Sequence, residues 1–191
     1  MPPVTFPGRI NVVERPDQAE KALDYLAMQP VVGFDTETRP SFRKGQTNIV
    51  SLMQISTPDR CFLFRLNKIG FGGRLKEFIE NRAITKIGLS LKDDFFMLHK
   101  ITPFEPGGFV ELQHLVKEYN ITDGSLQKIY GILFGQRISK SQRLSNWEAA
   151  ELTPAQQAYA AIDAWACLRI YTRLTDHSFN PADSPFIVPN P

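Results

Sequence analysis

The sequence predicts an α/β domain. Three observations predict it: three β-rich runs come in quick succession before residue 67, strand and helix patterns alternate after Phe71, and one long helical pattern runs from Thr153 to about Thr175.

Each element follows from local pattern. After a proline-punctuated lead-in, Asp17 to Met28 reads as a helix, with Ala19, Ala22, Leu23 and Leu26 on one apolar face. VVGFDTE, residues 31–37, reads as a buried strand. NIVSLMQIS and RCFLFRL read as two strands of a hairpin turned at Thr57, Pro58 and Asp59. A helix near Arg74 to Glu80, a short strand in AITKIGL and a helix from about Lys92 to Lys100 follow. Helical patterns then cover FVELQHLVKEY and SLQKIYGILFG. In the last helix Thr153 can cap, Pro154 suits the first turn and Gln156 can complete a capping box.

The 191 residues suit one domain, expected over residues 1–180, with a proline-rich tail at 181–191. Apolar residues at 42% against 22% charged give enough material for a packed core and exclude a disordered chain. Cys61 and Cys167 sit far apart in apolar stretches, which favours buried free thiols over a disulfide or zinc pair. The opening residues lack the apolar segment of a signal peptide, and no run reaches the ~18 apolar residues of a membrane helix, so a cytoplasmic protein with no membrane partner is expected. A net charge of +2 decides nothing about partners, because a nucleic-acid footprint is a local patch.

The chemistry-bearing residues are acidic. Asp35 and Glu37 are two apart in a strand, so both side chains leave the same face at its C-terminal end, either as a cation site or as exposed strand-end acids. In IGLSLKDDFFML, helical spacing puts Leu91, Asp94, Phe95 and Leu98 on one inward stripe and Asp93 on the opposite side. An inward aspartate is expensive unless paired or ligated, which singles out Asp94. On the last helix Tyr159, Ile162, Asp163, Ala166 and Ile170 form another inward stripe; Tyr159 bonded to Asp163 as a plain core pair is the structural alternative.

The order D-x-E at a strand end, an Asp after G-L-S-L-K-D, and Y-x-x-x-D on a late helix resembles the DEDDy exonucleases, with RNase D and the Werner-type exonuclease domain as the nearest kinds. The resemblance covers about Val31 to Leu174. It implies an RNase H-like fold with a central mixed five-stranded sheet whose first three strands form an antiparallel meander, flanked by helices. It also implies 3′–5′ removal of nucleotides from DNA or RNA with a free 3′ end. Carried over by motif, Asp35, Glu37, Asp94 and Asp163 would hold two magnesium ions, with manganese as a substitute, and Tyr159 would orient the attacking water. Histidine-type relatives place a histidine where this chain has Ala158. His99, His114 and His177 lie outside the motifs and read as packing or surface residues.

Substrate contacts are sought in ETRPSFRKGQTN, where Arg39, Phe42, Arg43 and Lys44 mix charge with an aromatic ring; an ordinary solvated loop is the alternative. Arg143, with Arg137 and Lys140, forms a second basic group that could steer a backbone, while Trp147 reads as a packing anchor. No G-x-S-x-G elbow, phosphate-binding loop or Cys/His metal spacing supports another hydrolase class. The rival reading is a nucleic-acid-binding module that kept the fold and lost turnover. Such a module would usually lack one of the acids, and here all four and Tyr159 are present.

Overall fold

A computed structural model describes residues 1–180 and 183, so the expected tail at 181–191 lies, Asp183 apart, outside the described residues. The chain folds into one mixed sheet covered by helices. In order these are β1 (Arg9–Val13), α1 (Pro16–Leu26), β2 (Val31–Thr38), β3 (Val50–Ser56), β4 (Arg60–Arg65), α2 (Leu66–Ile69) and α3 (Gly73–Glu80). Then come β5 (Thr85–Gly88), α4 (Leu91–Leu98), β6 (Phe109–Glu111), α5 (Leu112–Leu115), a 3₁₀ turn, α6 (Leu126–Phe134) and α7 (Pro154–Thr175).

Among the described residues the sheet has six strands, not the expected five, in the order β1-β4-β3-β2-β5-β6. The expected meander is present as β2, β3 and β4, paired antiparallel and turned where Thr57, Pro58 and Asp59 stand. β1, read as an irregular lead-in, pairs parallel with β4, and β6, read as the start of a helix, pairs parallel with β5. Both are edge strands of five and three residues, too short for alternation to stand out beside flanking prolines or a following helix.

Alternation in β2 splits its side chains between two layers. Val32 and Phe34 join a core with α1, α3 and α4. Gly33, Asp35 and Glu37 face the other way, toward α7. A Cβ on Gly33 would lie 1.9 Å from the carbonyl oxygen of Ala164, so glycine here is what lets α7 lie directly on β2. α7 starts as expected: Thr153 Oγ1 accepts from the Gln156 N–H at 3.1 Å, and Gln156 Oε1 accepts from the Thr153 N–H at 3.0 Å. Losing such a cap costs about 0.5–2 kcal/mol. No helix among the described residues is long and apolar enough to cross a membrane. Both cysteines are buried and free.

Candidate active site

Three elements carry the four acids. β2 presents Asp35 and Glu37 toward α7, and α7 presents Asp163 back toward β2. One oxygen from each of these three carboxylates lies within 4.8 Å of the others. Asp94 comes from the opposite layer on α4. Thr36, the one residue of the D-T-E run that points to that layer, donates its hydroxyl to Asp94 Oδ1 and so joins the fourth acid to the other three. Asp93 is exposed, as the spacing predicts.

The electrostatics are those of crowded like charges. Burial, then the Asp163 charge, pushes the Asp35 carboxyl well above the usual carboxylate range. Burial, Asp35 and Asp163 do the same to Glu37. Burial and Asp35 push Asp94 up to about 8, and burial lifts Asp163 to about 7 against a lowering contact from the Tyr159 hydroxyl. None of the ion pairs among the described residues involves these four groups. Asp163 is 6% exposed, and its Oδ1 is buried with no hydrogen-bond partner among the described residues. Leaving such an atom unpaired costs about 1–3 kcal/mol. A cluster of three carboxylates, one of them with a buried unpartnered oxygen, fits a hard cation such as magnesium or manganese, which takes oxygen donors.

Three supporting residues were not visible from motif spacing. Gln54 lies fully buried opposite Asp35 in the β2–β3 register; its side-chain amide donates to Glu37 Oε1 at 3.2 Å and to the Ala160 carbonyl at 3.3 Å. It ties the acid-bearing strand to the acid-bearing helix. A lone amide among the apolar residues and two serines of this strand was the available signal. Glu111 at the end of β6 accepts from the Ser90 and Leu91 N–H groups at 3.1 and 3.2 Å, seating the start of α4, where Ser90 adopts a left-handed φ of 57°. Gly33 is the third, through its contact with Ala164.

Tyr159 is buried one turn before Asp163, and Trp147, fully buried, stacks on its ring at 5.9 Å; Trp147 is thus a packing residue. Burial and the neighbouring Asp163 raise the Tyr159 pKa, while the Arg143 charge lowers it. Arg137 instead pairs through its backbone with Pro2 and Val4. Arg39, Phe42 and Arg43 line a hollow with Gln46 and Asn48 beyond the end of β2; Phe42 is 85% exposed and Lys44 is exposed. Arg39 crosses to Glu148 at 3.5 Å, so this loop and the segment before α7 meet. His99 stacks on Phe104 at 4.3 Å and bonds its carbonyl, away from the acids.

Comparison with known proteins gives a consistent picture. A sequence model of the 3′-5′ exonuclease family matches residues 10–177. The bifunctional 3′-5′ exonuclease/ATP-dependent helicase WRN of Mus musculus is 30% identical over 184 residues, covering 91% of this chain and 13% of that protein. The chain therefore spans only a small part of that relative's length. Among solved structures, the Aedes aegypti Nibbler EXO domain matches with a TM-score of 0.78 at 22% identity over 91% of this chain and 92% of that one. Trypanosoma brucei RNase D, in complex with RNA U12, matches with a TM-score of 0.78 at 18% identity over 94% of this chain and 65% of that one. At these identities the structural matches establish the fold, which is the RNase H-like arrangement of RNase D.

Proposed function

Because the chain belongs to the 3′-5′ exonuclease family, we propose that it hydrolyses phosphodiester bonds one nucleotide at a time from the 3′ end of DNA or RNA, releasing nucleoside monophosphates by a two-metal-ion mechanism. The observation that carries this reading is the Asp35, Glu37 and Asp163 cluster, one oxygen of each within 4.8 Å of the others, together with the buried, unpartnered Oδ1 of Asp163.

Asp35, Glu37 and Asp163 would hold magnesium, or manganese in its place, with Asp94 completing the set from the α4 side. When bound, the ions neutralise charge on the attacking and departing oxygens of the phosphodiester. Gln54 fixes the Glu37 carboxylate against rotation, and Thr36 fixes that of Asp94. Tyr159 keeps its proton through the working pH range because burial and Asp163 raise its pKa. With its proton in place, Oη orients the attacking water as a hydrogen-bonding group. Arg143, whose charge acts on Tyr159, and the Arg39, Phe42, Arg43 and Lys44 loop supply cations and an exposed ring for a backbone and an unstacked base.

The test incubates 5′-labelled single-stranded DNA, single-stranded RNA and a recessed duplex with magnesium or manganese, alongside Asp94→Ala. A one-nucleotide ladder that the variant loses is expected. No ladder on any substrate would overturn the enzymatic reading in favour of a binding module.

A further inference from the structure

Arg65 ends β4 on the face that carries Cys61 and Leu63, and those two residues pack with Trp147, Leu152 and Tyr159. The Arg65 side chain is fully buried, an unusual place for a guanidinium. It addresses a single segment of chain: it donates to the carbonyls of Ala150 at 3.0 Å, of Trp147 at 3.5 Å and of Ala149. Glu14, 3.6 Å away, supplies the countercharge and shares it with Lys68, whose ammonium sits 2.8 Å from Glu14 and also donates to Ala150 at 3.0 Å. A planar guanidinium spreads its N–H donors over three nitrogens in a fixed fork, a reach and geometry that the three donors on a single lysine nitrogen do not reproduce.

The segment so gripped has one prominent contact with the acidic site. Trp147 stacks on Tyr159 with ring planes 29° apart. On either side of it the segment is tied again: Asn146 accepts from Gln156 Nε2 at 3.2 Å through its carbonyl, and Glu148 reaches Arg39. The position of the Tyr159 ring is therefore set from behind by a tryptophan whose backbone hangs on Arg65. The acids are placed by other contacts: Asp35, Glu37 and Asp163 by β2, Gly33 and Gln54, and Asp94 by α4 and Thr36.

We propose that Arg65 is a positioning residue for the reaction: by holding residues 147–150 it keeps Trp147 against Tyr159 and the tyrosine hydroxyl beside Asp163. The inference rests on the reading of Tyr159 as the residue that orients the water. Small displacements of an orienting group are enough to matter, since a 1 Å error can cost about 10²-fold in rate.

The experiment is a double-mutant cycle in the full chain with Arg65→Lys and Tyr159→Phe, reading kcat and KM on a single-stranded substrate and manganese binding in parallel. Each single variant should lower kcat by about tenfold or more with KM within about threefold, and the double variant should fall no more than about threefold below Tyr159→Phe. Manganese binding should stay unchanged throughout. Where Arg65→Lys fails to fold, Glu14→Gln replaces it in the cycle as a milder disturbance of the same grip, with a smaller loss that also disappears in the Tyr159→Phe background. Wild-type kcat in the Arg65 or Glu14 variant, or losses that multiply, would overturn the inference and leave the role of Tyr159 standing. An unchanged kcat in Tyr159→Phe would instead sink the reading of Tyr159, and the inference with it.

Discussion

The side-chain amide of Gln54 donates to Glu37 Oε1 at 3.2 Å while the same nitrogen lies 3.3 Å from the Ala160 carbonyl on α7. One buried amide thus sets both the rotamer of a candidate ligand and the spacing of the two elements that carry three of the four acids. Replacing it with leucine fills the volume and leaves Glu37 and Ala160 unpaired, at a cost of about 1–3 kcal/mol. Gln54→Leu should fold, melt several degrees lower and bind manganese at least about tenfold more weakly, which titration calorimetry would show.

Gly33→Ala tests the close approach of α7 to β2. The new methyl would sit 1.9 Å from the Ala164 carbonyl oxygen, which is backbone and cannot swing aside. Helix and strand must separate, for a stability loss of about 1–3 kcal/mol or more. Because Asp163 rides on that helix, exonuclease activity should fall further than the loss of folded protein explains, and a denaturation curve alongside the rate separates the two.

Divalent cations should stabilise the fold. A ligand at about 100 times its Kd adds about 2.7 kcal/mol, which for a chain of this size raises the melting temperature by roughly 5–10 °C. Millimolar magnesium or manganese should produce that shift in the wild type and none in Asp35→Ala, as read by thermal denaturation; an unchanged wild-type melting temperature would count against the site.

The metal-free protein should lose stability as pH rises. The Asp94 and Asp163 carboxyls titrate near 8 and 7 in the fold, above the 3.8 of a free aspartate, with Asp35 and Glu37 raised in the same direction. The folded state then holds more protons than the unfolded one between about pH 4 and 8. The stability these groups contribute is complete below about pH 4 and is lost as pH climbs through 7 and 8. Denaturation midpoints in chelator should fall over that window, and added magnesium should flatten the slope.

The sequence was most legible where a single element's period decides the outcome. Strand alternation paired Asp35 with Glu37, helical spacing separated Asp94 from Asp93, and the capping residues fixed the start of α7 at Thr153. What stayed hidden depends on neighbours remote in sequence. Gln54 matters because of register with Asp35, Gly33 because of a helix more than a hundred residues later, and Glu111 because a three-residue strand places it under the start of α4. The two edge strands escaped for a related reason: β1 and β6 are held by parallel partners, and five or three residues carry too little pattern to announce themselves. Spacing also gave no sign that Asp94 joins the other acids through Thr36, a bond that appears only when two layers of the fold meet at β2.

On the proposed reading, Asp35, Glu37, Asp94 and Asp163 together hold the divalent cations for hydrolysis. Manganese titration followed by the resonance signal of the free ion tests it most directly, comparing wild type with Asp35→Asn, which keeps the shape and removes the charge. Two ions should bind per wild-type chain and both should be lost in the variant; no binding at millimolar manganese, or equal binding by the two proteins, would contradict this assignment.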